Sequence, residues 1–403
     1  MIAAMGLSWA NFRDVLDGEP LPTALIDLDA LDRNTDRIKA QLSGSGKTLR
    51  VASKSVRHTG LLRRILDRGG EAFRGLMCFT GLEAAYLASV GFDDLLVAYP
   101  SLRGLDAVAK EVRAGKTIRL MADHVAHLRA YGAAAQRADV VLEVLLDLDP
   151  SHELLGGKVH LGPERSPLRT PEQVEALARR ASSIEGVRVV GLMGYEALIA
   201  GMPDATPFSR ALNPMRRVLK HISVPKVAEL RGGAVAALRS AGVEPLVVNG
   251  GGTGSLETTT REPWITEVTA GSGFVCSHLF DYYRANVLEP AAYFALEVSR
   301  LPGAGLATCL GGGYVASGEP GWDKLPLPWL PEGMSYLSAE GAGEVQTPLR
   351  VPTDAPLSIG DPVIFRHAKA GELAERFDSY LLVRGGAAVG REPTYRGAGQ
   401  NFL

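Results

Sequence analysis

The sequence predicts an α/β protein with a TIM-type (β/α)8 barrel followed by a C-terminal, mostly β domain. Short apolar runs alternate with longer amphipathic segments, a pattern typical of βα units that build a parallel sheet. Eight such runs follow one another between residues 49 and 273, and eight parallel strands joined by crossovers close into a barrel. Beyond residue 282 the runs become strand-like and are separated by Gly- and Pro-rich turns, as in β domains. An open, doubly wound sheet is the alternative to the barrel.

The barrel strands are expected at the apolar runs 49–53, 76–80, 94–99, 118–122, 140–149, 187–195, 245–252 and 265–273. Segments rich in Ala, Leu, Arg and Glu lie between most of these runs and predict helices, for example at 171–183 and 225–242. A strand at 23–28 precedes the barrel runs and is a candidate to pair with the second domain. We therefore assign residues 1–282 to the barrel domain and residues 283–403 to the β-rich domain.

The composition excludes several classes of protein. Of the 403 residues, 46% are hydrophobic and 22% are charged, which provides enough apolar material for a large packed core. Acidic and basic residues number 45 and 43, so no excess of positive charge indicates nucleic acid as a partner. Cys78, Cys276 and Cys309 are far apart and predict no disulfide framework or CxxC pair. Without a signal peptide or an apolar stretch of about 18 residues, we expect a soluble, cytoplasmic protein with no membrane partner.

Lys54 directly follows the first predicted barrel strand, in the stretch RVASKSVRH. Active sites of barrel enzymes lie at the carboxyl ends of the strands. A lysine amine that is poorly solvated at such a strand end is suited to form a Schiff base. The alternative is an ordinary lysine on the rim of the barrel.

Small residues are concentrated at the ends of the last two predicted barrel strands, in NGGGTGS (249–255) and AGSG (270–273). Glycines let the backbone approach a phosphate closely and donate N–H groups to it. Barrels often hold a phosphate after strands seven and eight. A tight turn that binds nothing is the alternative for either segment alone, but the two together favour a phosphate site.

These segments, with PTALIDLDALDRN (22–34) and the GY that ends the sixth strand, make the chain resemble the alanine-racemase-type, fold-type III enzymes that use pyridoxal 5'-phosphate (PLP). Within them it is most similar to the D-threonine aldolase and D-serine dehydratase branch, over nearly the whole chain. The resemblance implies a homodimer whose second domain completes the partner's site. It implies that Lys54 carries PLP as a Schiff base, and that the phosphate is held by Gly251, Gly252, Thr253, Ser272 and Gly273.

Two more cofactor-binding residues follow from matching the motifs of this branch. Its arginine after the fifth strand corresponds to Arg165 in GPERSPL, although SHELLGGKVHL lengthens that stretch; the match implies a bond to the phenolic oxygen of PLP. Tyr195, at the end of the sixth strand, is implied to face the ring. The alternatives are a solvated loop arginine and a tyrosine that packs on a helix.

The chain departs from this branch at two places. The branch has Lys-Thr-His-Lys at the PLP lysine, whereas this chain reads Lys-Ser-Val-Arg-His from Lys54 to His58. The branch binds a divalent metal through His-x-Cys or His-x-Asp in its second domain, whereas here His367 is followed by Lys369, whose ammonium has no lone pair to offer. A metal would be held by His367 with Glu372 or water, so a metal is doubtful. We predict that His367 is catalytic, and that it meets the substrate together with Lys369 if no metal is bound.

The resemblance implies a PLP-dependent lyase that acts on β-hydroxy D-amino acids. The reaction is either retro-aldol cleavage to an aldehyde or dehydration and deamination to a keto acid. A PLP-dependent racemase is the closest alternative, with Tyr314 as the candidate acid or base on the opposite face of the cofactor. A non-catalytic PLP carrier is a more distant alternative, because such carriers resemble a lone barrel without a second domain.

Overall fold

The computed structural model describes residues 7–154, 159–352 and 357–403. Its strands are β1 (Thr23–Asp27), β2 (Thr48–Ala52), β3 (Phe73–Cys78), β4 (Leu95–Val97), β5 (Ile118–Ala122), β6 (Leu142–Asp147), β7 (His152–Leu154), β8 (Val159–Leu161), β9 (Val187–Met193), β10 (Val247–Gly250), β11 (Glu267–Ala270), β12 (Ala292–Gly303), β13 (Leu306–Leu310), β14 (Leu327–Leu330), β15 (Ser335–Tyr336), β16 (Gln346–Arg350), β17 (Pro362–Arg366), β18 (Ser379–Arg384) and β19 (Ala387–Pro393).

The α-helices are α1 (Trp9–Leu16), α2 (Leu28–Ala40), α3 (Thr59–Gly69), α4 (Gly81–Ser89), α5 (Leu105–Arg113), α6 (Val125–Ala138), α7 (Pro171–Ala181), α8 (Ala197–Ala200), α9 (Asn213–Ser240), α10 (Leu256–Thr259), α11 (Ser272–Val275) and α12 (Ala370–Ala374). Short 3-10 segments span Ser53–Ser55, Gly70–Ala72, Pro207–Leu212, His278–Tyr282 and Trp322–Lys324. None of the helices described is long and apolar enough to cross a membrane.

The predicted barrel is confirmed. Eight parallel strands close in the order β2-β3-β4-β5-β6-β9-β10-β11, which excludes the open doubly wound sheet. Successive side chains of a strand point to opposite faces. One set, which includes Met77, Leu96 and Met121, therefore packs together inside the barrel, while the other, which includes Val51 and Leu76, packs against the surrounding helices.

The second domain is built around a mixed sheet in the order β15-β16-β13-β12-β1-β18-β19, with β17 pairing with β12 and β14. Strand β1 belongs to this sheet and not to the barrel. Its Leu25 lies opposite Tyr293 in an antiparallel pair and opposite Leu381 in a parallel pair. The predicted domain boundary, between residues 282 and 283, lies at the end of the 3-10 segment His278–Tyr282 and before β12. Strand β1 comes before this boundary in the sequence but pairs within the sheet of the second domain.

The bounds of one predicted helix are corrected. The helix expected at 225–242 begins at Asn213 and passes through Pro225. A proline inside a helix removes one N–H donor. The helix nevertheless continues past Pro225, and its later residues Val227 and Leu238 are buried. In the stretch that lengthens the segment before Arg165, His152–Leu154 (β7) and Val159–Leu161 (β8) form an antiparallel pair.

Candidate active site

A cavity of about 540 Å³ opens at the carboxyl ends of the barrel strands. Barrel enzymes place their active sites at this end, and the volume is in the range of small-molecule sites. The segment Ala368–Glu372 of the second domain also lines it. The predicted residues that line it are Lys54, Arg165, Tyr195, Gly251, Gly252, Thr253 and Ser272.

Lys54 lies in the 3-10 segment that follows β2. Its Nζ donates to the hydroxyl of Tyr99 and lies 4.7 Å from the centre of the tyrosine ring. The Nε of Arg57 donates to the Lys54 carbonyl at 2.9 Å, and Arg57 itself has a left-handed backbone (φ +49°). The sequence analysis missed Tyr99, although a tyrosine that closes the apolar run DLLVAY at a barrel strand end is a usable signal.

Ser53, immediately before Lys54, is held by a buried carboxyl group. Its Oγ lies 2.9 Å from the carbonyl of Met77 and 2.7 Å from Oε1 of Glu83, yet a hydroxyl has only one hydrogen to donate. Burial raises the pKa of Glu83. The single proton of the Ser53 hydroxyl therefore serves one of the two contacts, and Ser53 links the Met77 carbonyl to the buried Glu83.

The first three glycines of NGGGTG are each required for a different reason. A Cβ on Gly250 would lie 2.6 Å from Nη2 of Arg231, and one on Gly252 would lie 2.9 Å from the Cβ of Ala200 and 3.1 Å from the Tyr195 ring. Gly251 has φ +89°, a conformation that side chains disfavour. The absence of a side chain at Gly250 therefore leaves room for the buried Arg231, and its absence at Gly252 lets Tyr195 pack against the loop.

The N–H groups expected to hold a phosphate are largely used within the protein. Gly251 donates to Oε2 of Glu196, Gly252 to Oγ of Ser255, and Gly273 to Oγ1 of Thr253, each at 3.0 Å. The expectation that these three groups contact the phosphate directly is therefore corrected. Gly273 is also absent from the lining of the cavity.

Other groups at the same strand ends are open to a phosphate. Among the described residues, the N–H groups of Thr253 and Ser272 have no protein acceptor. The hydroxyls of Ser55 and Ser272 lie 3.4 Å apart, and both residues line the cavity with Thr253. This cluster of N–H and hydroxyl donors fits a phosphate group.

A buried ionic cluster supports the glycine loop from behind. Glu196 accepts from the hydroxyls of Ser255 and Thr259 at 2.6 and 2.5 Å, in addition to Gly251. Arg231 pairs with Glu196, and with Glu262 at 2.5 Å. Burial alone would raise the pKa of Glu196, but Arg231 and the hydroxyls outweigh it and lower that pKa. Sequence analysis missed this cluster, whose members have no motif.

Arg165 and Tyr195 lie on the same side of the cavity, with the guanidinium 5.8 Å from the centre of the tyrosine ring. Burial raises the pKa of Tyr195 to about 12, so its phenol is neutral. Asp147, at the end of β6, also lines the cavity. Burial, with repulsion from Asp123 and Asp149, raises the pKa of Asp147 to about 7. The sequence analysis missed Asp147, although Asp147 and Asp149 close the apolar run 140–149.

His367 lies outside the cavity. It is 4% exposed, does not line the cavity, and makes no side-chain hydrogen bond of good geometry within the described chain. Burial, with the neighbouring His278 and Arg366, lowers its pKa to about 3. Lys369 lines the cavity instead, which corrects the expectation that both side chains face the substrate.

The metal that the resemblance implies lacks its second protein ligand here, because Lys369 stands where the branch has Cys or Asp and an ammonium has no lone pair to offer. The described residues contain no group of three or more His, Cys, Asp or Glu side chains placed to hold a metal ion. Tyr314, the racemase candidate, packs between Phe294 and Phe377 at ring distances of 5.1 and 5.5 Å. It does not line the cavity of its own chain.

Comparison with known proteins gives a consistent family. The alanine racemase, N-terminal domain family matches residues 26–268. The 3-hydroxy-D-aspartate aldolase of Paracoccus denitrificans (strain Pd 1222) is 25% identical over 253 residues, 62% of this chain and 59% of that relative. The D-threo-3-hydroxyaspartate dehydratase of Delftia sp. (strain HT23) is 26% identical over 311 residues, 77% of this chain and 71% of that relative.

Among solved structures, D-threonine aldolase from Filomicrobium marinum superposes with a TM-score of 0.78 at 20% identity, over 94% of this chain and 95% of that one. This likeness supports the fold, including the second domain. The match with the Paracoccus aldolase spans about three fifths of that relative, whereas the family match covers more than half of this chain. The protein therefore belongs to the alanine racemase N-terminal domain family.

Proposed function

We propose that the protein is a PLP-dependent lyase that acts on β-hydroxy D-amino acids, by retro-aldol cleavage or by dehydration and deamination. The observation that carries the proposal is the amine of Lys54 in the same cavity as the donor cluster of Ser55, Thr253 and Ser272. The activities named for the Paracoccus and Delftia relatives, an aldolase and a dehydratase of 3-hydroxyaspartate, support the substrate class.

In this proposal the donor cluster holds the phosphate of PLP, Lys54 is its covalent anchor, and Arg165 and Tyr195 contact the ring system. Bound PLP supplies an electron sink for the charge that develops at Cα of an amino acid. Tyr99 orients the Lys54 amine through its hydroxyl. In dehydration, Lys54 is the base that takes the proton from Cα.

His367 has no contact with the substrate in this proposal, because it lies outside the cavity. The family resemblance also supports a homodimer, and the three free cysteines support a reducing compartment such as the cytoplasm. The near balance of 45 acidic and 43 basic residues supports a small-molecule substrate over nucleic acid.

The test is incubation of the PLP-loaded protein with D- and L-threonine, D- and L-serine and the stereoisomers of 3-hydroxyaspartate. Aldehyde, keto acid and the opposite enantiomer are measured in parallel. We expect aldehyde or keto acid from D-configured substrates, and none from the Lys54→Ala variant. Formation of the opposite enantiomer alone would establish the racemase instead.

A further inference from the structure

Lys369 reaches the cavity from a segment that packs on the turn carrying Lys54. A Cβ on Gly371 would lie 1.9 Å from the Lys54 carbonyl, so the two backbones are in close contact there. Lys369 and Glu372 both line the cavity. The second domain thus brings a cationic side chain into the cavity that also contains Lys54.

The ammonium of Lys369 is held by one hydrogen bond. Its Nζ donates to Oγ of Ser317 at 3.0 Å. Ser317 in turn donates to Glu372, from Oγ to Oε1 at 2.5 Å and from its backbone N to Oε2 at 3.0 Å. Nζ lies 4.0 Å from Oε1 of Glu372, beyond hydrogen-bond distance.

This arrangement leaves donors for a ligand. An ammonium has three N–H groups, and within residues 7–154, 159–352 and 357–403 only the bond to Ser317 is made. The Lys369 side chain is 41% exposed. The remaining N–H groups can therefore donate to an oxygen of a molecule in the cavity.

The surroundings of Lys369 disfavour a divalent cation at this place. An ammonium offers no lone pair and repels a cation. The histidine two residues earlier does not line the cavity and lies next to the cationic Arg366. Among the described residues, no group of three or more His, Cys, Asp or Glu side chains is placed to hold a metal ion.

We propose that the ammonium of Lys369 replaces a divalent metal as the group that binds the β-oxygen of the substrate, and that this enzyme needs no metal. Lys369 acts as a hydrogen-bond donor throughout, and Ser317 and Glu372 fix its position. The inference rests on the proposed function, since it concerns a β-hydroxy amino acid. It makes Lys369 the residue that distinguishes such substrates from amino acids without a β-oxygen.

The test is a spectral titration of the PLP-loaded protein with D-threonine and with D-alanine, which lacks the β-oxygen. In Lys369→Met, affinity for D-threonine should fall about tenfold or more, as for the loss of a hydrogen bond to a charged donor. Affinity for D-alanine should be unchanged, and Lys369→Arg should recover part of the loss. Lys324→Met is the matched control: Lys324 also lies near Gly318 but does not line the cavity.

Metal content is measured on the same purified protein. We expect substoichiometric divalent metal, and turnover that a chelator does not reduce. Stoichiometric metal, with activity lost on chelation and restored by Mn²⁺ or Zn²⁺, would overturn the proposal. An equal loss of affinity for D-threonine and D-alanine would also overturn it, because Lys369 would then bind a group common to both. Selective binding without turnover of any β-hydroxy D-amino acid would reject the proposed function and leave the role of Lys369 standing.

Discussion

The two walls of the cavity differ in how deeply their supporting side chains are buried and in how many partners hold them. The wall at the glycine loop rests on Glu196 and Arg231, which are 1% and 0% exposed and fully paired. The wall from the second domain carries Lys369, whose side chain is 41% exposed and held by one hydrogen bond to Ser317. A buried network fixes a single geometry because every unpaired member is costly. An exposed side chain can change with little effect on folding.

This difference indicates how the site divides its tasks. In the proposed function, the glycine loop holds one unchanging group, the phosphate of PLP, on a backbone that buried charges support. In the same proposal, the segment Ala368–Glu372 meets the variable part of a substrate. We therefore expect substitutions at the first wall to affect stability and cofactor binding together, and those at the second to affect substrate choice alone.

The largest expected effect is the loss of turnover on substitution of Lys54, which lines the cavity between the two walls. Lys54→Ala should reduce turnover to background, because the covalent anchor and the base at Cα are lost together. The melting temperature without PLP should stay near that of the wild type. In the wild type, borohydride reduction and mass spectrometry should place PLP on Lys54; an adduct on another lysine would contradict the assignment.

A large effect on stability is expected behind the glycine loop. Arg231→Met leaves the carboxylates of Glu196 and Glu262 buried without their cation, which costs about 3–5 kcal/mol. The free energy of unfolding from urea titration and the affinity for PLP should fall together. The control is Arg261→Met, which removes an exposed pair with Glu257 and should cost no more than about 0.5 kcal/mol. Similar losses of unfolding free energy in both variants would show that the buried cluster contributes no more to stability than an exposed ion pair.

A moderate effect is expected within the loop. In Gly252→Ala the new Cβ would approach Ala200 and Tyr195, so the loop or the tyrosine must shift at a cost of about 1–3 kcal/mol. We expect PLP affinity to fall by a larger factor than the unfolding equilibrium constant changes. Gly303→Ala is the matched control, because its Cβ would meet no atom within 4 Å. Unchanged PLP affinity in Gly252→Ala would contradict the proposed role of this loop in PLP binding.

The last effect is on the pH dependence of stability and concerns Asp147, whose pKa is raised to about 7. The folded state keeps a proton that the unfolded state loses near pH 4. The contribution of Asp147 to stability is therefore complete below about pH 4 and decreases as the pH rises towards 7, by up to about 1.4 kcal/mol per pH unit. Asp147→Asn should remove this dependence.

The measurement is the free energy of unfolding of the wild type and of Asp147→Asn at pH 5, 6, 7 and 8. The difference between the two proteins should grow in favour of the variant up to pH 7 and then level off. A constant difference would mean that Asp147 is ionised throughout this range.

The parts of the site predicted from the sequence are those determined by short stretches of chain. The apolar runs predicted the barrel strands, and a lysine or a glycine cluster directly after a run predicted which residues gather at one end. Lys54, Thr253 and Ser272 lie in the cavity for this reason. The phosphate donors were predicted less well, because the partners of Gly251 and Gly252 are side chains of Glu196 and Ser255.

The sequence by itself determined the barrel, the lysine at its mouth and the small residues at its last two strand ends, because periodicity and strand ends are local properties. The pairing of β1 with the second domain was a candidate from the sequence, and the structure has it. Only the tertiary structure decided that Gly250 makes room for Arg231 and that the cavity receives Lys369 and not His367. Each of these depends on contacts between residues far apart in the chain. Burial and pairing at such distances follow from how the elements pack, which no local pattern encodes.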